Sequence, residues 1–204
     1  MSALDHDTLA ALELVNVPAG LCALDAVCKQ AHVTILFAGD IDPSRFLIVF
    51  AGDLGAVHAS LDRAIAESGS DVLESLLLPQ AHLDLRKALH GELLTPQMAQ
   101  IDEPAMGILQ THTVIATLAA VDRALKAADV QLMRLRMATE LAGQGHAVLV
   151  GEQDDLEAAL LAAQSGVAPG IVVQTRRIAR PAPEVYAAAA QRAFGARAIR
   201  PLDG

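Results

Sequence analysis

Aromatic residues are almost missing from this chain: no tryptophan, one tyrosine and four phenylalanines in 204 residues. Proteins that bind single-stranded nucleic acid stack bases on aromatic faces, so that class is disfavoured. Positive charge is scarce too. Fifteen Lys and Arg face 24 Asp and Glu, a net charge of −9, and the pI is near 5.1. That balance argues against nucleic acid and against anionic lipid as partners. No uncharged apolar run reaches the roughly 18 residues of a membrane span. The acidic start MSALDHDTLA lacks the apolar stretch of a secretory signal.

Catalytic and metal signatures are also wanting. Seven histidines, at 6, 32, 58, 82, 90, 112 and 146, form no HExxH pattern and no short pair of zinc-ligand spacing. No nucleophile elbow or phosphate-cradling loop is present. Gly143-Gln144-Gly145 has no third glycine for a dinucleotide fingerprint. No metal, cofactor or catalytic set is therefore expected, and an enzyme is disfavoured. The two cysteines, Cys22 and Cys28, lie about 600° apart on a helix, too far round it to be bridged. They read as small buried hydrophobes in a reduced cytoplasmic setting.

What the chain does have is hydrophobic residues, 53% of the total, enough for ample cores of Ala, Val, Leu and Ile. It also has a repeat. Leu12 to Val33, LELVNVPAGLCALDAVCKQAHV, returns 97 positions later as Leu109 to Val130, LQTHTVIATLAAVDRALKAADV. Nine of 22 aligned positions are identical, among them Asp25 and Asp122, Lys29 and Lys126; chance gives roughly two. A period near one hundred residues is domain-sized and far longer than a solenoid repeat. Two copies of one small domain are expected, at residues 1–90 and 105–194, with a linker at 91–104 and a tail at 195–204.

Each copy reads as β-α-β-β-α-β-α. In the first, Leu9 to Val17 suits a half-buried strand, Pro18 opens a helix to Ala31, and Val33 to Ala38 and Arg45 to Ala51 are apolar strands. Asp53 suits the start of a helix from Leu54 to Glu67. Val72 to Leu78 is a fourth strand and Ala81 to Leu89 a last helix. The second copy repeats this, from a strand at Met106 to a helix at Ala182 to Phe194, with the offset slipping from 97 to 99 and 100 in loops, where insertions are tolerated. The fold class is α+β, two ferredoxin-like split β-α-β domains.

Several segments carry a family likeness. They are Gly107-Ile108-Leu109-Gln110-Thr111, then Ala119 to Asp122, then Leu125 to Val130; Gly52-Asp53 and Gly151-Glu152 before each second helix; and Leu78-Pro79-Gln80-Ala81-His82 and Ile178-Ala179-Arg180-Pro181 after each fourth strand. In order and spacing, found twice, they resemble the bacterial microcompartment shell proteins of the tandem-domain type, over about Leu9 to Ala193.

The resemblance implies a structural role, not catalysis. Such chains form homotrimers whose six domains imitate a hexamer. Trimers, single or stacked in pairs, tile with hexameric and pentameric shell proteins around a pore for small metabolites. The family's edge lysine falls on Lys29 and Lys126, and its edge arginine on Arg180, with Gln80 in the first copy. The pore loops fall on Asp40, Ile41, Asp42, Pro43 and Ser44, followed by Arg45, and on Glu140, Leu141, Ala142, Gly143 and Gln144. Glu140 is a candidate gate, since three converging carboxylates raise one another's pKa. Arg45 could pair with Asp42 or with a passing anion. The alternative is a trimeric small-molecule-binding or regulatory protein of ferredoxin-like domains.

Overall fold

A computed structural model describes residues 6–92, 96–97, 101, 103–137, 141–165 and 173–190. The chain divides into two compact units at Gly91/Glu92. In the first, β1 (Thr8–Leu14), α1 (Val17–Gln30), β2 (Thr34–Ile41), β3 (Arg45–Gly52), α2 (Leu54–Ser68), β4 (Val72–Leu78) and α3 (Leu83–Leu89) follow one another. In the second the same order returns as β5 (Ala105–Thr111), α4 (Val114–Ala127), β6 (Val130–Met137), β7 (Gly145–Gly151), α5 (Gln153–Ser165), β8 (Val173–Ile178) and α6 (Pro183–Ala190). The first unit adds one 3-10 turn, Gly69–Asp71.

Each unit holds a four-stranded sheet, ordered β2-β3-β1-β4 and β6-β7-β5-β8. All neighbouring strands are antiparallel. Strand β1 is thus parallel to β2 with β3 between them, and β3 is parallel to β4 with β1 between them. These are two interleaved split β-α-β units. Alternation along β1 sends Ala10, Leu12 and Leu14 into a core with Ala23 and Val27 of α1 and Val57, Leu61 and Ala64 of α2. Leu9, Ala11 and Glu13, on the other side of the sheet, are buried as well.

Strand β1 is therefore buried along its whole length, not half-buried as its polar residues suggested. It also ends earlier. Asn16 belongs to the helix: its side chain accepts from the Ala19 N–H at 2.9 Å, so Asn16 is the N-cap and Pro18 sits in the first turn. Thr113 does the same for α4, accepting from Ala116 N–H at 3.1 Å. Asp53 is the N-cap of α2 through its backbone, with no side-chain cap bond. Helix α3 starts two residues later than Ala81, capped by His82 Nδ1.

Both second strands carry a β-bulge at the same place, between Ile35 and Phe37 and between Leu132 and Arg134. One extra residue there resets the in-out alternation. Leu36 and Met133 occupy the bulges, so Phe37 and Gly39 point away from α1 and α2, and Arg134 and Arg136 away from α4 and α5.

Candidate pore hairpins and tile edge

The β2–β3 hairpin is short. Ile41 lies opposite Arg45, leaving Asp42, Pro43 and Ser44 as the loop, with Ser44 at φ 59°. Asp40 and Ile41, expected in this loop, are the last residues of β2, and Ile41 is buried. The β6–β7 loop is longer, which is where the repeat offset slips from 97 to 99. Leu141 to Gln144 closes it as a turn: Gln144 N–H donates to Leu141 O at 3.0 Å, and Ala142 and Gly143 have φ of 51° and 78°. Two successive positive φ values with that bond mark a type I′ turn. Glu140 lies outside the described residues.

Arg45, at the start of β3, pairs with the carboxylate of Glu13 on β1. It donates to Glu13 Oε1 at 2.7 Å. Glu13 is 1% exposed, and its Oε2 has no protein partner among the described residues. The same position in the second unit holds Gln110, which donates to Gln144 Oε1 at 2.5 Å. An ion pair at the base of one hairpin is thus a neutral amide pair at the base of the other. Glu13 was missed by reading sequence, where it looked like the solvent side of a strand; aligning the repeats pairs Glu13 with Gln110 and Arg45 with Gln144, and was the available signal.

The two lysines sit in the last turns of α1 and α4, where a cation meets the negative end of the helix dipole. Each is bonded to the aspartate one turn back. Lys29 Nζ lies 2.7 Å from Asp25 and Lys126 Nζ 2.5 Å from Asp122. The hydrogen bond that Lys29 donates to Asp25, and then the charge of that carboxylate, raise the Lys29 pKa. The environments differ: Asp25 is 60% exposed and Asp122 only 4%. Arg180, at φ 47°, pairs with Glu103, whereas Gln80 lies exposed after β4.

Cys22 and Cys28 are free and exposed, not buried. The sheet-facing side of α1 is taken by Ala23, Ala26 and Val27, which leaves both cysteines outward. Beside them Leu21 is 55% exposed. The repeat equivalents of Leu21 and Cys28 are Leu118 and Leu125, and both are buried. The first unit thus leaves open an apolar helix face that is covered in the second. Among the described residues no group of three His, Cys, Asp or Glu is placed to hold a metal, and no helix is long and apolar enough to cross a membrane.

A duplicated ferredoxin-like domain, with a lysine in the last turn of the first helix of each copy, defines a class of tandem-repeat proteins. The BMC domain family matches residues 8–81 and 105–181, and the chain belongs to it, as a structural shell protein of a bacterial microcompartment. It is similar to the microcompartment shell protein PduT of Citrobacter freundii, 34% identical over 172 residues, 83% of this chain and 90% of that one. Over 88 residues, 42% of this chain and 95% of the relative, it is 28% identical to the shell protein PduA of the same organism. A solved microcompartment protein from Desulfitobacterium hafniense shares the fold, with a TM-score of 0.73 at 24% identity, over 87% of this chain and 97% of that one.

Proposed function

We propose that this chain forms a homotrimeric, pseudohexameric tile of the shell, pierced by a pore for small metabolites. The observation that carries it is the unequal cover of α1 and α4. Equivalent surfaces call for equivalent neighbours, and Leu21 with Cys28 presents to solvent what Leu118 and Leu125 keep buried. A second copy of the chain fits that face head to tail, and such a heterologous contact closes into a ring when the rotation is right. Two domains per chain and three chains give six positions.

In this reading the two hairpins alternate around the axis. One kind carries Asp42-Pro43-Ser44, flanked by Asp40, Ile41 and Arg45. The other carries Glu140 to Gln144. Passage is then governed by loop charge and aperture, with no bond made or broken. Lys29 and Lys126 lie at the rim with Arg180, where a flexible ammonium can reach the carbonyls of an adjoining tile. Gln80, uncharged, makes the first unit's edge the weaker one. The shell-protein relatives favour other shell proteins as tiling partners, and residues 91–104 join the two domains.

Native mass spectrometry and negative-stain imaging test this together. A mass near three times 21.3 kDa and flat sheets are expected. Replacing Lys29 and Lys126 together is expected to abolish sheets and keep the trimer. A monomer at micromolar concentration refutes the proposal, and a trimer that never tiles alone or with hexameric shell proteins refutes it in favour of the ligand-binding alternative.

A further inference from the structure

The sheet side turned away from α1 and α2, or from α4 and α5, differs between the two units in a way that the shell role does not require. Directly opposed residues in antiparallel strands share a face, so each register defines rows across the sheet. Gly107 faces the helices, since a Cβ there would meet Leu156 and Leu160 of α5. Ile108 and Gln110 therefore face the other way. Nearest the β6–β7 hairpin, the row on that side reads Arg136, His146, Gln110, Gln174, and the next reads Arg134, Val148, Ile108, Arg176. Three guanidiniums and an imidazole lie there, and the two rows contain no carboxylate. The equivalent rows of the first sheet are Gly39, Leu47, Glu13, Glu74 and Phe37, Val49, Ala11, Leu76. One is acidic, the other apolar. In a chain of net charge −9, cations have been gathered on one face of one copy.

We propose that this face of the second sheet is a binding site for a small oxyanion, a phosphate or carboxylate group, held by Arg136 and Arg134 with His146 and Arg176 beside them. Arg134 and Arg136 lie two residues apart on one strand, about 7 Å along it, and His146 lies opposite Arg136 at a Cβ separation of about 5 Å. That span suits one anionic group. The face is open enough to be reached: Gln110, Gln174 and Arg176 are exposed, and Arg134, Arg136 and His146 half-buried. Arg134 is steadied by donating to Ala189 O of α6 at 2.9 Å, which fixes its guanidinium over the sheet. The titratable groups on α6 are Glu184, which is exposed, and Tyr186, whose hydroxyl donates to Pro104 O.

The local field agrees. Burial, then Arg134 and Arg136, lower the His146 pKa, and burial with Arg136 lowers that of Arg134. Such mutual repulsion is what a bound anion relieves, and guanidiniums grip oxyanions by two parallel hydrogen bonds.

The test is an NMR titration of the His146 ring in the full-length chain, with inorganic phosphate added at constant ionic strength against chloride. A saturable shift and a rise in the His146 pKa are expected. Affinity should fall about tenfold in Arg136→Gln, the loss of one charge-assisted contact, and less in Arg136→Lys, which keeps the charge without the fork. Acetate in place of phosphate tells which oxyanion is preferred. The same measurement runs on trimer or monomer, so it stands or falls apart from the pore and tiling proposal. No saturable shift by about 50 mM phosphate, well beyond a millimolar constant, overturns the site. So does unchanged affinity in the folded Arg136 variants.

Discussion

Gly20 of α1 and Phe46 of β3 occupy one space. A Cβ on Gly20 would stand 2.1 Å from the Phe46 Cγ, with the ring Cδ1 at 2.3 Å and Cβ at 2.4 Å. A real Cβ essentially never stands closer than 3.0 Å to a non-bonded atom. Phe46 cannot swing clear, because it is buried opposite Leu14 in the middle of the first core. In Gly20→Ala, either the helix lifts from the sheet or the ring leaves its rotamer, and overpacking of this kind costs about 1–3 kcal/mol, occasionally more. The helix propensity gained by alanine returns only about 1 kcal/mol. Because the overlap is severe, the upper half of the overpacking range applies, and a net loss of about 1–2 kcal/mol follows for the first unit. Phe46→Ala alone removes a buried ring, at about 3–5 kcal/mol. In the double variant the alanine methyl enters the vacated space, so the two losses should fall short of additive by at least about 1 kcal/mol. Urea unfolding followed by circular dichroism measures each midpoint. A Gly20→Ala protein as stable as the parent, or strictly additive losses, refutes the argument. The second unit has already made the exchange in reverse: Thr117 replaces Gly20, Gly145 replaces Phe46, and a Cβ on Gly145 would stand 2.1 Å from Thr117 Oγ1.

Three further outcomes are expected. Arg45→Gln should destabilise more than Glu13→Gln, by about 3 kcal/mol against about 1, because it leaves the buried Glu13 carboxylate without its cation while the reverse change leaves a half-exposed guanidinium; the same urea assay ranks them. Lys126→Ala should cost about 1–2 kcal/mol, since Asp122 is buried, whereas Lys29→Ala should stay within about 0.5 because Lys29 and Asp25 are both solvated; equal losses would contradict the difference in burial. The folded His146 pKa is depressed, so the unfolded chain binds that proton more readily and stability falls as pH drops from about 6.5 through the lowered folded value. Melting temperature across that window should fall less steeply in His146→Gln, and parallel curves for the two proteins would disprove it.

Much of the fold was written in the repeat. Apolar β-branched runs such as Val33 to Ala38 named strands, and proline and N-cap residues placed helix starts to within two residues. What escaped was set by tertiary contact. Asn16 is polar whether it ends a strand or caps a helix, and only the bond to Ala19 decides. Glu13 looks solvated in an alternating strand until both faces of β1 prove covered. Cys22 and Cys28 are hydrophobes that the helix turns outward, because smaller alanines take the sheet side. The hairpins were found as loops by composition, but their lengths came only from pairing Ile41 with Arg45. The cationic rows were invisible, since Arg134, Arg136, His146 and Arg176 come from three strands that the register alone brings side by side.

The paired bulges carry a further consequence. Were Met133 held in regular pairing, the alternation of β6 would not reset, and Arg134 and Arg136 would be aimed at α4, where Ala147 and Leu149 build the core. With Leu36 in regular pairing the same would befall Phe37 and Gly39. The bulge works as a switch of reading frame, one residue long, dividing each second strand into a stretch that answers to the core and a stretch free to answer to solvent. Duplication copied that frame twice, so one half could collect arginines beyond the bulge while the other kept phenylalanine and glycine, and neither choice disturbed the pairing with the strand alongside.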